Sequence, residues 1–434
     1  MASVDVPVAL LGYGTVGAAV HRLLVESADD IERATGHRLR VTKALVRDVS
    51  RQRDGSPEPG VLTDDFAEIR AADAAVVAEV MGGVEPAGDY VLELLGAGRH
   101  VVTANKQLVA RRGAELFEAA SASGVQLRFE ASVCAAIPVI KVLREALVVS
   151  NVHRVLGIVN GTTNFVLGAM SGGRSYAEAL AEAQRLGYAE ADPTDDVSGA
   201  DAAAKMAILA TVAFGSRVAY DDVAVAGIEG VTPAQVAAAR ALEMSVKLVG
   251  AATLVGDRYD VRVGPALVDG RHPLATVDGA FNAVMLQGDA IREITLEGPG
   301  AGGIETASAV VADMVSVVGT TGTGFLQNDP CWRSLERLPA GELRSPFYLH
   351  AEVDDRPGVL ARVAGALADH GVSVARLVQQ TNDDGASLHI VTHEAPAGEV
   401  GAALDELDAL RETRGRPATL RVISDRGVEG LGWA

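Results

Sequence analysis

The chain has 434 residues, of which 48% are hydrophobic and 4% aromatic, and its formal net charge is -19 at pH 7. This length is enough for about three domains with apolar cores. The negative charge and the scarcity of aromatic rings argue against nucleic acids and anionic membrane surfaces as partners, and they favour an enzyme that acts on a small molecule.

The two cysteines, Cys134 and Cys331, lie in different regions of the chain. No disulfide framework is therefore predicted, and a reducing compartment is expected. The first residues lack the basic segment of a signal peptide, and no apolar run reaches membrane-spanning length without a charge. We expect a cytoplasmic protein.

The N-terminal segment has the pattern of a nucleotide-binding unit. An apolar strand, Val6–Leu11, leads into Gly-Tyr-Gly-Thr-Val-Gly at residues 12–17, and a helical pattern follows. The glycines permit a tight turn and close approach of a pyrophosphate, and the first amides of the helix can donate to phosphate oxygens. The pattern predicts dinucleotide binding through Gly12, Gly14, Thr15, Val16 and Gly17.

The second predicted strand, Leu39–Val46, ends in Arg47, and Asp48 follows. An acidic residue at this place would accept a hydrogen bond from the ribose 2′-hydroxyl, whereas an arginine would bind a 2′-phosphate. Arg47 therefore favours NADP, and Asp48 leaves NAD open. An arginine that simply ends a strand at the surface is the alternative interpretation.

Strands alternate with helical patterns up to about residue 130, with further strands near Ala75–Val80, His100–Thr103 and Val125–Phe129. This alternation is typical of an α/β fold with a doubly wound parallel sheet, and it predicts a Rossmann-type domain over residues 1–134. Residues 135–320 show long helices and β-like runs, which predict a mixed α+β catalytic and dimerisation domain. Its β-like runs are Val152–Val159, Lys247–Val255, Tyr259–Val268 and Ala283–Glu297.

One predicted helix of the second domain carries two charges on an otherwise apolar surface. Asp201 and Lys205 are four residues apart and therefore face the same way, and the segment from Ala202 to Phe214 is otherwise almost wholly apolar. A helix that is apolar all round is buried, and buried charges are costly unless they are paired or bind something. We expect chemistry at this helix, with an ordinary intrahelical ion pair as the alternative.

Residues 321–344 contain Gly, Thr and Pro with little periodicity and are predicted to be a linker. Residues 345–425 show the order βαββαβ, which predicts a ferredoxin-like domain. Because this pattern is complete in itself, we expect a chain ending near Gly341 to stay folded.

Six segments, in the same order, resemble motifs of the homoserine dehydrogenases over nearly the whole chain. They are residues 12–17, 102–106, 130–133, 157–164, 187–205, and 298–302 with Thr306-Ala-Ser-Ala. The segment Asp355-Arg-Pro-Gly-Val-Leu360 resembles an ACT domain, a small module that senses amino acids. The resemblance implies reduction of L-aspartate 4-semialdehyde to L-homoserine by NAD(P)H, on the route to threonine and methionine.

The resemblance also implies which residues act on the substrate. Lys205 would be the general acid for the alkoxide that develops after hydride transfer, with Asp201 beside it. Glu190 and Asp201 match acids that bind the substrate, whose α-ammonium calls for carboxylates, and Asp196 lies close by in sequence. Lys106 would contact both the substrate and the nucleotide.

For the cofactor side, the resemblance implies that Gly187 and Gly302 approach the nucleotide, although both are also typical helix-cap or turn glycines. It also implies a monovalent cation, commonly Na⁺, bound by the side chain of Glu130 and the main-chain carbonyls of Val133, Ala135 and Ile137. A divalent metal at the acidic run Asp192 to Asp196 is a weaker interpretation than a solvated, helix-capping loop.

The chain departs from the family pattern at Cys134-Ala-Ala136, where the family usually has a Gly-rich loop. Side chains there are expected to remove the freedom to adopt a positive φ. Two alternatives remain at this point: a phosphorylating aspartate-semialdehyde dehydrogenase with Cys134 as nucleophile, and a catalytically weak amino-acid sensor. For the main interpretation, threonine is the expected effector of the ACT unit, and a homo-oligomer is expected.

Overall fold

The computed structural model describes residues 4–51, 53, 57–319, 335–382 and 385–423. The chain divides into two compact units, each made of three segments. Unit 1 contains residues 1–155, 202–223 and 282–335, and unit 2 contains residues 156–201, 224–281 and 336–434. The predicted domain boundaries at residues 134, 320 and 344 stay predictions, and Cys331 and linker residues 321–334 lie outside the described residues. Within the described part of the chain, no helix is long and apolar enough to cross a membrane.

The strands agree closely with the predicted ones, with one exception. The predicted run Ala283–Glu297 is two strands separated by a turn at residues 289–291, so its prediction as one run was wrong. The strands are β1 (Val4–Leu11), β2 (His37–Leu45), β3 (Leu62–Thr63), β4 (Val76–Glu79), β5 (His100–Thr103), β6 (Leu127–Arg128), β7 (Val152–Ile158), β8 (Ala224–Val225), β9 (Met244–Val255), β10 (Arg258–Asp269), β11 (Phe281–Gly288), β12 (Arg292–Pro299), β13 (Glu336–Arg337), β14 (Arg344–Ser345), β15 (Phe347–Val353), β16 (Val374–Asn382), β17 (Gly385–Thr392), β18 (Ala395–Pro396) and β19 (Ala418–Ile423).

The α-helices fill the segments between these strands. They are α1 (Thr15–Glu26), α2 (Ala28–Thr35), α3 (Phe66–Ala71), α4 (Ala87–Gly96), α5 (Lys106–Ala122), α6 (Val139–Lys141), α7 (Gly161–Ser171), α8 (Tyr176–Arg185), α9 (Thr194–Val197), α10 (Ala200–Phe214), α11 (Pro233–Ala241), α12 (Gly303–Gly319), α13 (Val359–Asp369) and α14 (Ala397–Ala409).

Unit 1 contains a six-stranded sheet in the order β3-β2-β1-β4-β5-β6, with parallel pairing throughout. Strand β1 is buried from Val8 to Leu11, as expected for a strand with helices on both faces of its sheet. The doubly wound parallel sheet is therefore confirmed. Helix α12 also belongs to its core, since Val310 and Met314 are fully buried in the same apolar cluster as Leu10.

In unit 2, six strands follow one another in the order β9-β10-β19-β15-β17-β16. The last four are the strands of the βαββαβ unit, and their antiparallel order is that of a ferredoxin-like sheet. Helices α13 and α14 cover one face, where Leu349, Leu367 and Leu407 are buried together. The predicted C-terminal fold is confirmed.

The C-terminal sheet does not stand alone, however. Strand β19 pairs in parallel with β10, so that Ala266, Leu267 and Val268 lie opposite residues 421–423. Leu267 and Val268 are fully buried. A chain ending near Gly341 would leave these residues at an open sheet edge. The expectation that a chain ending near Gly341 stays folded remains a prediction, and the pairing of β10 with β19 shows which contact such a chain would lose.

Candidate active site

The glycine-rich turn joins β1 to α1 as predicted. Gly12 has a φ of +105°, and a Cβ atom there would lie 2.9 Å from the carbonyl oxygen of Val80. At Gly17 a Cβ atom would lie 2.3 Å from the carbonyl oxygen of Gly12. Gly14 caps α1 without a side chain that could occupy the first-turn amides of Thr15 and Val16. This end of α1 therefore has the form of a phosphate site.

A second helix begins beside the same turn. A Cβ atom on Gly303, the first residue of α12, would lie 2.7 Å from Cγ2 of Thr15. Gly302 has a φ of +133°, in a region that favours glycine. Unit 1 thus brings Gly302 to the nucleotide loop, and its contact with a cofactor stays a prediction.

The loop after β2 contains the predicted ribose-side residues. Arg47 is exposed. The carboxylate of Asp48 accepts hydrogen bonds from the main-chain N–H and the hydroxyl of Ser50, at 2.8 and 2.6 Å, and these bonds lower the pKa of the Asp48 carboxyl. Both bonds end on Oδ1, so they tie Asp48 to its own loop through one oxygen.

Lys106 begins α5 and is supported by a buried network that the sequence did not reveal. Asn105 caps α5 by accepting from the N–H of Leu108. Glu79, fully buried at the carboxyl end of β4, accepts from the Thr103 hydroxyl at 2.5 Å and from Asn105 Nδ2 at 3.4 Å. Burial raises the pKa of Glu79, while the donors act in the opposite direction. This carboxyl fixes the turn from which Lys106 projects.

Glu130, the predicted cation ligand, is buried and caps α6. Its two oxygens accept from the N–H groups of Ile140 and Lys141, both at 2.8 Å. Burial and the carboxylate of Asp313 raise the pKa of Glu130 to about 7. The Lys141 ammonium, 3.7 Å from Asp313, is half-buried. Carboxyl oxygens are ligands that hard cations prefer, and the binding of a cation by Glu130 stays a prediction.

The loop that includes the predicted carbonyl ligands departs from expectation. Cys134 and Ala135 have φ values of +54° and +43°, although neither is glycine. The prediction that their side chains would prevent a positive φ was wrong. Both residues are buried, and the N–H of Ile137 donates to the carbonyl of Cys134 at 3.0 Å, so surrounding contacts hold the strained turn.

Asn160 binds two of the acids that were predicted to contact the substrate, and the sequence analysis did not single it out. It caps α7, with Oδ1 accepting from the N–H of Thr163 at 2.9 Å. Its Nδ2 donates to Asp196 Oδ1 at 2.7 Å and to Asp201 Oδ2 at 2.9 Å. One amide group therefore holds both predicted carboxylates. An asparagine before Gly-Thr-Thr is a typical helix N-cap, so the sequence could have indicated where α7 begins. It could not have indicated that Asn160 contacts Asp196 and Asp201.

Helix α10 is buried as predicted. Asp201 and Lys205 are 4% and 8% exposed, and residues 202–210 are all buried. Being four apart on one α-helix, the two side chains lie one turn apart on one face. The helix therefore presents a buried acid and a buried amine side by side.

The remaining predicted acids are more exposed. Glu190 is exposed, and the Thr162 hydroxyl donates to the nearby Tyr188 carbonyl at 2.6 Å, which ties this segment to α7. Asp192 accepts from the N–H and hydroxyl of Thr194 and so begins α9. Gly187 follows the end of α8 with a φ of +77°, the conformation of a C-terminal cap. Among the described residues, no group of three or more His, Cys, Asp or Glu side chains is arranged to hold a metal ion.

Three family models match the chain. Residues 12–130 match the NAD-binding domain of homoserine dehydrogenase, residues 138–315 match homoserine dehydrogenase, and residues 348–412 match the ACT domain.

Curated relatives match along almost the whole chain. A homoserine dehydrogenase of Corynebacterium glutamicum is 42% identical over 97% of this chain and 96% of its own, and one of Bacillus subtilis is 37% identical over 98% and 99%. Among solved structures, a homoserine dehydrogenase from Thiobacillus denitrificans superposes with a TM-score of 0.92 at 37% identity, covering 98% of this chain and 100% of its own. A hyperthermophilic archaeal homoserine dehydrogenase in complex with NADPH covers 72% of this chain and 97% of its own, with a TM-score of 0.63 at 28% identity.

Proposed function

The chain belongs to the homoserine dehydrogenase family of NAD(P)-dependent oxidoreductases, and from this premise we propose which of its residues interconvert L-aspartate 4-semialdehyde and L-homoserine. Lys205 exchanges the proton on the reacting oxygen. Asp201, Asp196 and Glu190 bind the substrate ammonium. Lys106 contributes from the nucleotide side.

The observation that carries this proposal is the shared amide of Asn160. Two carboxylate oxygens that bind one nitrogen cannot be more than about 5.6 Å apart. Their oxygens therefore form one anionic site. A substrate ammonium placed beside Asp196 and Asp201 can donate hydrogen bonds to both carboxylates. The pair therefore supports recognition of an α-amino acid.

Lys205 is the amine suited to the proton transfer. The bound nicotinamide supplies or accepts the hydride. When hydride reaches the aldehyde carbon, negative charge develops on its oxygen, and an adjacent ammonium can donate a proton to that oxygen. In the reverse direction the neutral amine accepts the hydroxyl proton. Asp201 lies one turn before Lys205 on the same helix.

NADP is the proposed cofactor. The exposed Arg47 follows β2, and Ser50 binds one oxygen of the neighbouring Asp48 carboxylate. An arginine at this strand end suits a 2′-phosphate. The NADPH complex of the archaeal relative agrees with this assignment.

The two alternative functions are not supported. The family matches are to homoserine dehydrogenase, and Cys134 is 1% exposed, which does not suit a nucleophile that must reach a substrate. An intact Asp201 and Lys205 on a buried helix also argue against a sensor without catalysis. Cytoplasmic location and homo-oligomer formation stay predictions.

The assignment of the acid is tested with Lys205→Met, compared with Lys43→Met on β2 as a control for loss of a lysine. We expect kcat to fall by about 10²- to 10⁴-fold for Lys205→Met, since general acid catalysis has that magnitude, while NADPH binding measured by fluorescence changes little. Lys43→Met should keep its kcat. A Lys205→Met enzyme that retains half of the kcat contradicts the assignment.

Cofactor choice is tested with Arg47→Asp, with Arg51→Asp in the same loop as the control. A lost charge-assisted contact corresponds to about 1.5–3 kcal/mol, so KM for NADPH should rise roughly 10- to 100-fold. KM for NADH should change little, because NADH lacks the 2′-phosphate. Equal changes for the two cofactors would show that Arg47 does not bind that phosphate.

Binding of Na⁺ through Glu130 and the carbonyls of Val133, Ala135 and Ile137 is proposed on the family membership and on the buried carboxyl of Glu130. Because a ligand that binds the folded state raises its stability, Tm should be higher in NaCl than in choline chloride of equal ionic strength. The difference should disappear in Glu130→Gln. Identical melting curves of the unmodified enzyme in the two salts would rule out a stabilising Na⁺ site.

Threonine is the proposed effector of the ACT domain, supported by the domain match and by the place of the family reaction before threonine. A coupling of about 1–3 kcal/mol is typical of allosteric effectors. We therefore expect millimolar L-threonine, but not D-threonine, to lower the rate of homoserine oxidation. If L-threonine changes neither this rate nor Tm, threonine is not the effector.

A further inference from the structure

Lys247 is a buried ammonium that the reaction described above does not use. It lies in β9, opposite Ala266 of β10, and is 4% exposed. A charge inside a sheet loses its hydration and is retained only where polar groups replace the lost water. The groups that contact the Lys247 ammonium therefore indicate its role in the structure.

The Lys247 ammonium contacts two oxygen atoms, one on α7 and one in the segment before β11. Nζ donates to Asn164 Oδ1 at 3.0 Å and to the Val277 carbonyl at 2.5 Å. The carboxylate of Asp278 lies 3.9 Å away, but its side chain is 91% exposed, so that pair contributes little. The ammonium is therefore held mainly by an amide oxygen and a carbonyl oxygen.

The contact with Lys247 sets the orientation of the Asn164 amide. With Oδ1 facing the ammonium, Nδ2 donates to the carbonyls of Val277 and Gly279, both at 3.0 Å, and to that of Phe281 at 3.4 Å. A rotated amide would place an N–H group against the ammonium. Lys247 and Asn164 together thus fasten residues 277–281 to α7.

The fastened segment lies directly against the start of α7. A Cβ atom on Gly161 would lie 2.4 Å from the carbonyl oxygen of Ala280, so the two main chains are in close contact. The residue before Gly161 is Asn160, whose amide holds Asp196 and Asp201. A displacement of residues 277–281 would therefore move the residue that spaces the two carboxylates.

We propose that Lys247 is a positioning residue for the substrate ammonium site: through Asn164 and residues 277–281 it fixes Asn160 and, with it, Asp196 and Asp201. The inference rests on the proposed function of those carboxylates. It assigns Lys247 no contact with substrate or cofactor.

The test uses the full-length enzyme with Lys247→Met, which keeps the length of the side chain without its charge. KM for homoserine should rise about tenfold, kcat should stay within about threefold, and NADP⁺ binding should not change. A lysine that serves stability alone would lower Tm without this separation of KM from kcat. Hydrogen exchange in residues 161–165 and 277–281 should become faster in the variant.

Two further variants keep the proposal falsifiable if Lys247→Met does not fold. Asn164→Asp keeps an oxygen for the ammonium but loses the donors to three carbonyls, so it should raise KM for homoserine in the same way. Asp278→Asn, the matched control, should leave KM unchanged because that carboxylate is exposed. An unchanged KM in folded Lys247→Met or Asn164→Asp, or an equal rise in KM for NADP⁺, overturns the proposal. An unmodified enzyme that does not oxidise homoserine would instead refute the proposed function, and the exchange measurement would still test the positioning role.

Discussion

A single nitrogen, Nδ2 of Asn160, donates to the carboxylates of Asp196 and Asp201, and the candidate active site depends on this shared contact. The amide supplies two hydrogen bonds but no positive charge, so it sets the spacing of the carboxylates without neutralising them. Asp201 is buried on an apolar helix and Asp196 is half-buried, so the two carboxylates lie partly out of water. In the function proposed above, this pair binds the ammonium of the substrate.

Unit 1 contains a similar network of hydrogen bonds, in which one buried carboxyl accepts from several donors. Glu79 collects donors from Thr103, Asn105 and the main chain at the edge of the parallel sheet, just before the helix that begins with Lys106. In both units, then, a residue with several hydrogen bonds inside the protein holds a predicted site residue or the turn next to it. Such networks hold geometry because every broken bond would leave a buried polar group without water.

The sequence predicted the features that depend on local pattern. The glycine turn, the parallel strands, the burial of α10 and the βαββαβ order all follow from short-range periodicity and turn chemistry. The contacts of Asn160 and Glu79 escaped prediction because they join residues 24 to 41 positions apart. The position of an amide or an acid in the sequence does not indicate which residue it contacts. At Cys134 and Ala135, tertiary contacts override the intrinsic preference against a positive φ, which local rules cannot anticipate.

The parallel pairing of β10 with β19 has a consequence for how the protein is made. β10 ends at Asp269 and β19 begins at Ala418, so about 150 residues must be synthesised before the second strand exists. At typical translation rates this takes roughly 10 to 30 s, during which the edge of β10 that β19 later covers is open in the nascent chain. A ribosome that stops early, for example at a nonsense codon in the ACT region, would release a chain with that edge uncovered. The uncovered edge offers unpaired N–H and C=O groups to other chains, so such a product is more prone to aggregate than the full-length protein.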